Sequence, residues 1–250
     1  MIKFFRKIRQ KLLSENKLCK YLIYAIGEIV LVVLGILIAL QINNWNENKK
    51  QILIQNKILL QIQSDLQKDT IHIVESIQMY KEKNERLENI IFRKIPISYY
   101  QSLNQENYGD CKECKNEVTY FWPFKNHNKG YSQLKSFNTN LNEPLDSLLV
   151  KIDQFYHESE PSVKFSNEIL RSLMNQNIKS YVQYDWFIDW RVTGNKKFNK
   201  DYVKYIFESK DYRIKSAQFL TWTRNHLFRI KHYKSEATEI LKLIDIKLKK

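Results

Sequence analysis

Hydrophobic positions along this chain fall into contrasting regimes. Between Leu22 and Ile42, fourteen of 21 residues are Leu, Ile or Val, with no polar alternation. From about Asn46 to Lys94 there is no Gly or Pro, and Leu59, Ile62, Leu66, Ile73, Ile77, Tyr80, Leu87 and Ile91 recur at threes, fours and sevens. Lys, Glu, Gln and Asn fill the gaps, a pattern that predicts one or two long amphipathic helices. Pro96 closes that stretch. Residues 95–130 lose the period and are punctuated by Gly109, Pro123 and Gly130, so they read as an irregular loop.

The period then returns. Asn142-Glu143-Pro144 resembles a helix start with Pro in its first turn. The helix "PLDSLLVKIDQFYHES" follows, with Leu145, Leu148, Leu149, Ile152 and Phe155 on one face. "SVKFSNEILRSLMNQNIKSYV" predicts another helix, and "DWFIDWRVTGNKKFN", with Gly194, a break. "KDYVKYIFESKDY" and a last helix from about Arg213 to Lys249 complete the chain, the latter carrying Leu227, Ile230, Ala237, Leu241, Ile244 and Leu248 at heptad spacing. The expected fold is all-α. It comprises a basic segment over 1–20, a transmembrane helix over 21–42, an amphipathic stalk helix over 43–94, the loop over 95–130 and a helical bundle over 131–250.

The aliphatic run suits lipid. Each of its fourteen aliphatic residues favours insertion, summing to roughly −4 to −8 kcal/mol against about +3 for the single charge, Glu28. Twenty-one helical residues span about 30 Å, the thickness of a hydrocarbon core. The run exceeds a signal-peptide core and ends in "QINNWNENKK", which has no small-x-small cleavage site, so it reads as an uncleaved anchor. Before it lie seven basic residues (Lys3, Arg6, Lys7, Arg9, Lys11, Lys17, Lys20) and one acid, Glu15; after it only Lys49, Lys50 and Lys57 appear by residue 60. That asymmetry predicts a cytoplasmic amino terminus and an exported carboxyl-terminal domain. Tyr21, Tyr24 and Trp45 fall where amphipathic rings anchor a span at the interfaces.

Glu28 lies on a particular face. Tyr21, Ala25, Glu28, Val32, Gly35, Ala39 and Ile42 alternate by fours and threes, and nearly all the small residues of the span share that seam. Small residues let helices approach closely in lipid, and a polar side chain there can find a donor. Ala25, Glu28, Val32, Gly35 and Ala39 are thus expected to form a helix-helix interface, with a second copy or with a partner's membrane helix.

Composition narrows the alternatives. Five Gly and four Pro are a thin supply of turns, which favours long helices. The net charge of +14 comes from lysines spread along the whole chain among 27 acids, a pattern of solvated helix faces that argues against nucleic-acid binding. Cys111 and Cys114 form a CxxC in the loop and read as a small-loop disulfide or spare thiols. A redox pair would need a strand-helix setting, and a zinc site two further ligands, with His127 the sole nearby histidine. Cys19 lies across the span from that pair. Asp185 and Asp189, beside Trp186 and Trp190, have the spacing of paired carboxylates but read as core aromatics with acids facing water or Arg191. "YFWPF" at Tyr120–Phe124 reads as a plug pinning the loop to the bundle. No phosphate loop or nucleophile elbow is present. No catalytic, cofactor or metal site is expected.

The first fifty residues resemble the amino-terminal signature of an uncharacterised family of single-pass membrane proteins from flavobacteria and relatives. The resemblance rests on Gly27-Glu28, Gly35-Ile36, Ile38-Ala39-Leu40-Gln41 and Asn43-Asn44-Trp45-Asn46-Glu47. "GYSQLKSFN" (Gly130–Asn138) and "LLVKIDQFYH" (Leu148–His157) are similar more loosely. The resemblance implies topology and compartment only, an inner membrane with a periplasmic domain, since the family has no established activity to carry over. It also implies that the Gly-Glu pair is a family feature. Together these readings lead to the expectation of a non-enzymatic, membrane-anchored scaffold or sensor that associates through its span. The alternatives are a proton-coupled accessory subunit using Glu28, and a periplasmic thiol-redox protein using Cys111 and Cys114.

Overall fold

The computed structural model describes residues 18–138, 147–194 and 196–249, and among these there is no β-strand. The fold is all-α. Seven α-helices are described: α1 (Leu18–Ile91), α2 (Ile97–Gln101), α3 (Lys129–Asn138), α4 (Ser147–Ser180), α5 (Trp186–Thr193), α6 (Lys200–Glu208) and α7 (Lys210–Leu248). Short 3-10 turns lie at Tyr108–Asp110, Glu113–Lys115, Glu117–Thr119 and Tyr181–Gln183. The chain divides into two compact units, Met1–Lys57 and Ile58–Lys250.

In the first unit, α1 holds the predicted span. All fourteen aliphatic side chains between Leu22 and Ile42 are 47–72% exposed. The segment has a mean hydropathy of 2.6 over its best window and is long and apolar enough to cross a membrane.

The second unit is built on α1, α4 and α7. Side-chain bonds set the directions: Gln63 to Asp245, Thr223 to Asn84 and Arg224 to Glu88 pair the start of one helix with the end of the other, so α7 runs antiparallel to α1. Ser159 to Glu236, Arg229 to Ser162 and Ser166 to His226 set α4 antiparallel to α7 in the same way. Two apolar clusters fill the bundle. One gathers Leu59, Ile62, Leu66, Ile73, Ile152, Phe155, Ile230, Tyr233 and Ile244. The other gathers Leu87, Leu170, Tyr181, Trp186, Tyr202, Ile206, Tyr212 and Phe219.

Three helix boundaries differ from the sequence reading. First, α4 runs unbroken through Pro161, where two helices are predicted. Pro161 is exposed, and the buried face continues on both sides of it through Ile152, Phe155, Ser159, Val163, Ser166 and Leu170. One lost main-chain bond, about 3 kcal/mol, is outweighed by burial along that face. Second, the predicted break at 185–199 contains α5, ended by Gly194 in the left-handed conformation. Third, α7 begins at Lys210, because Ser209 caps it by accepting from the main-chain N–H groups of Asp211 and Tyr212. The predicted helix start at Asn142-Glu143-Pro144, Leu145, and most of the basic segment 1–20 lie outside the described residues. So do the side chains of Cys19, Tyr21 and Tyr24.

Candidate functional site

The bundle face of α1 carries an unbroken heptad pattern with two columns. Leu59, Leu66, Ile73, Tyr80 and Leu87 form an apolar column, each fully buried. Ile62, Asp69, Ser76, Lys83 and Ile90 form the other column, with three polar residues in successive heptads, all buried. A buried carboxylate or ammonium is costly unless paired, so each of these charges needs a partner.

The partners come from the segment between α2 and α3. Residues 113–130 form a strap that runs antiparallel to α1. Asn89 donates to Glu113 (3.0 Å), Arg86 to Glu117 (2.6 Å), Lys83 to the carbonyl of Tyr120 (2.8 Å) and Tyr80 to the carbonyl of Trp122 (2.8 Å). Farther along, the N–H of His127 donates to Asp69 (3.0 Å) and the N–H of Gly130 to Asp65 (2.7 Å). α4 holds the strap as well. Asn167 bonds both the N–H and the carbonyl of Phe124 (3.3 and 2.7 Å), and Asn177 donates to the carbonyl of Val118 (2.9 Å). The strap therefore lines both helices, and polar side chains stand in for the backbone ladder an irregular segment lacks.

Lys83 is the tightest of these anchors. Its ammonium is 0% exposed and bonds the carbonyl and carboxylate of Glu117 as well as Tyr120. It lies 3.8 Å from the Tyr120 ring centroid and 5.0 Å from that of Phe219. Burial pushes its pKa down to about 8 against the opposing pull of Glu117, so at neutral pH a cation is held inside the bundle. Its donors are directed at the strap, an arrangement suited to clamping. Gly130 shows how close the contact is: an added Cβ would meet the backbone nitrogen of Ile62 at 2.6 Å.

Asp69 is 0% exposed and accepts from Tyr233 (2.6 Å) as well as from His127, whose ring Nδ1 lies 2.6 Å from the same carboxylate. Burial raises the Asp69 pKa, and the bonds from Tyr233 and His127 oppose that rise. His226 on α7 is also buried, with Nδ1 2.8 Å from Ser166 Oγ; burial pushes its pKa down to about 4.

Other residues singled out in the sequence lie elsewhere. Cys111 and Cys114 are joined as a disulfide, both 2% exposed, and the carbonyl of Cys114 accepts from Tyr202 (3.0 Å). His127 sits against Asp69, apart from that pair, and among the described residues no three His, Cys, Asp or Glu side chains are grouped to hold a metal. Asp189 is partly exposed and bonds Lys197 (3.0 Å), while Trp186 is buried among Tyr181, Tyr202 and Tyr205. Phe124 is buried, and Trp122 packs edge-on against Tyr80. In the first unit, Gly35 would meet nothing within 4 Å if given a Cβ, Val32 is 55% exposed, and Ala39 is exposed. Ala25 and Glu28 are partly exposed. Trp45 is 65% exposed, with the Lys49 ammonium 5.0 Å from its ring centroid.

The strap anchors escaped the sequence reading, though a signal existed. Asp69 and Lys83 fall at heptad positions that complete the apolar repeat of α1, where a solvated face would not place them.

Residues 28–129 match the model of a family of unknown function, DUF6090. The match runs from Glu28 through the rest of α1 and the strap to Lys129, and agrees with the resemblance to an uncharacterised family. No curated protein and no solved structure matches the chain.

Proposed function

We propose that this chain is a membrane-anchored scaffold or sensor without catalytic activity, held at an inner membrane by one span, with its amino terminus cytoplasmic and its helical bundle periplasmic. The observation that carries this reading is the state of the fourteen aliphatic residues between Leu22 and Ile42. None is covered by protein among the described residues, and lipid is the environment in which such a surface is stable. The basic excess before the span supports the orientation. The Cys111–Cys114 disulfide suits an oxidising compartment.

Association runs through Ala25, Glu28, Val32, Gly35 and Ala39. Gly27 and Gly35 face open space, so packing within the chain does not call for glycine at either position, whereas close approach of a second membrane helix does. Two differently tagged full-length copies, co-expressed and purified in mild detergent, test the reading. Co-purification of the native pair and its loss in Glu28→Leu and Gly35→Leu are expected; unchanged co-purification of both variants would remove the interface. Glu28→Gln separates packing from proton handling. A packing role predicts intact assembly and function in that variant, whereas a proton-coupled subunit would assemble and lose function.

A further inference from the structure

The Asp69–His127 pair does more than fix a loop. The main-chain N–H of His127 already ties the strap to Asp69. The ring Nδ1, 2.6 Å from the same carboxylate, adds orientation: with Asp69 as acceptor, Nδ1 carries the proton and the lone pair of the neutral ring sits on Nε2. Asp69 is itself immobilised, being fully buried and bonded by Tyr233. The imidazole it holds is not buried, with its side chain 44% exposed. A buried carboxylate behind a solvent-facing imidazole of fixed tautomer is the second-shell arrangement that accompanies metal-ligating histidines.

A second imidazole stands beside it. His72 is one turn beyond Asp69 on α1 and exposed, and its ring centroid is 6.5 Å from that of His127, with the planes at 89°. An ion bound to two imidazoles at Zn–N distances of about 2.0–2.1 Å brings the ring centroids to within roughly 5–6 Å of each other. The remaining gap is small for an exposed side chain with free rotamers. Imidazole nitrogens suit zinc, copper and nickel, while magnesium and calcium call for oxygen ligands.

We propose that His72 and His127 form a surface site for one divalent transition ion of the zinc, copper or nickel type, with Asp69 orienting His127 and water completing the coordination. The site joins α1 to the strap, so an occupied site adds a further tie between them. It stands independently of how the span associates.

The test uses the full-length, untagged protein in detergent. Zn2+ is titrated in competition with a chromophoric chelator, and Cu2+ is added for electron paramagnetic resonance. Expected are one saturable Zn2+ equivalent per chain, a Cu2+ signal split by two nitrogens, and at least a tenfold loss of affinity in both His72→Ala and His127→Ala. His72 is exposed, so its variant keeps the native melting profile and separates ligand loss from misfolding. His232→Ala, on the surface of α7, leaves binding unchanged. Absence of saturable binding, retention of full affinity in His72→Ala, or loss of binding in His232→Ala would overturn the site.

Discussion

Two stretches of the same helix, Leu22–Ile42 and Ile58–Ile90, solve opposite problems. The first is predominantly aliphatic, and all fourteen of its Leu, Ile and Val side chains are exposed. The second shows one buried seam to the bundle, and that seam includes Asp69, Ser76 and Lys83. In lipid, a helix satisfies its own backbone and needs only an apolar exterior. In water, the bundle must also satisfy a long irregular segment, and Asp69 and Lys83 of α1 do this by bonding the strap. The presence of polar residues therefore does not separate the two stretches, since Glu28 lies in the first. They differ in whether protein covers the helix.

That contrast can be broken by substitution, and the largest effect belongs to the buried clamp. Glu117→Ala leaves Lys83 and Arg86 without their carboxylate and is expected to cost about 3–5 kcal/mol. Denaturant unfolding of the full chain in detergent measures it; a loss below 1 kcal/mol would show that the strap does not depend on the clamp.

Acid comes next. The buried pKa of His226, about 4, lies below its ordinary 6.5, so the unfolded chain takes up the proton first. This contribution to stability is complete above pH 6.5, falls as pH drops from 6.5, and is gone near pH 4. The full loss is about 3 kcal/mol. Melting temperature against pH, for the native chain and His226→Asn, should show a slope in that window for the first and a flatter profile for the second.

Glycine sharpens the comparison at smaller scale. Gly130→Ala drives a Cβ into the backbone of Ile62 and is expected to cost about 1–3 kcal/mol. Gly35→Ala meets nothing within the chain and should leave the melting of the bundle unchanged. Equal effects in calorimetry would erase the distinction between the covered and uncovered stretches. Least of all, Arg224→Ala removes an ion pair with Glu88 that is largely exposed on the Arg224 side, and is expected to cost under about 1 kcal/mol by chemical denaturation.

The apolar column of α1 is legible in the sequence because Leu59, Ile62, Leu66, Ile73, Tyr80 and Leu87 repeat with the helical period, and the aliphatic run of the span is plain for the same reason. Burial of Ile152, Phe155, Ile230 and Ile244 follows from identical logic. The strap is a different matter. Its residues share no period, and its place depends on partners remote in sequence, such as Asp69 with His127 and Asn177 with Val118. Lys83 and Asp69 look like solvated charges when only neighbours along the chain are considered. Pro161 misleads for a related reason: local backbone chemistry signals a break, while tertiary burial on both sides keeps the helix whole.

Alkaline carbonate extraction of membranes from cells expressing the full chain tests the anchoring most directly. The chain is expected to remain in the membrane pellet, and a variant with Leu31 and Leu34 both changed to Lys to move to the supernatant. Release of the native chain by carbonate would contradict a helix embedded in lipid.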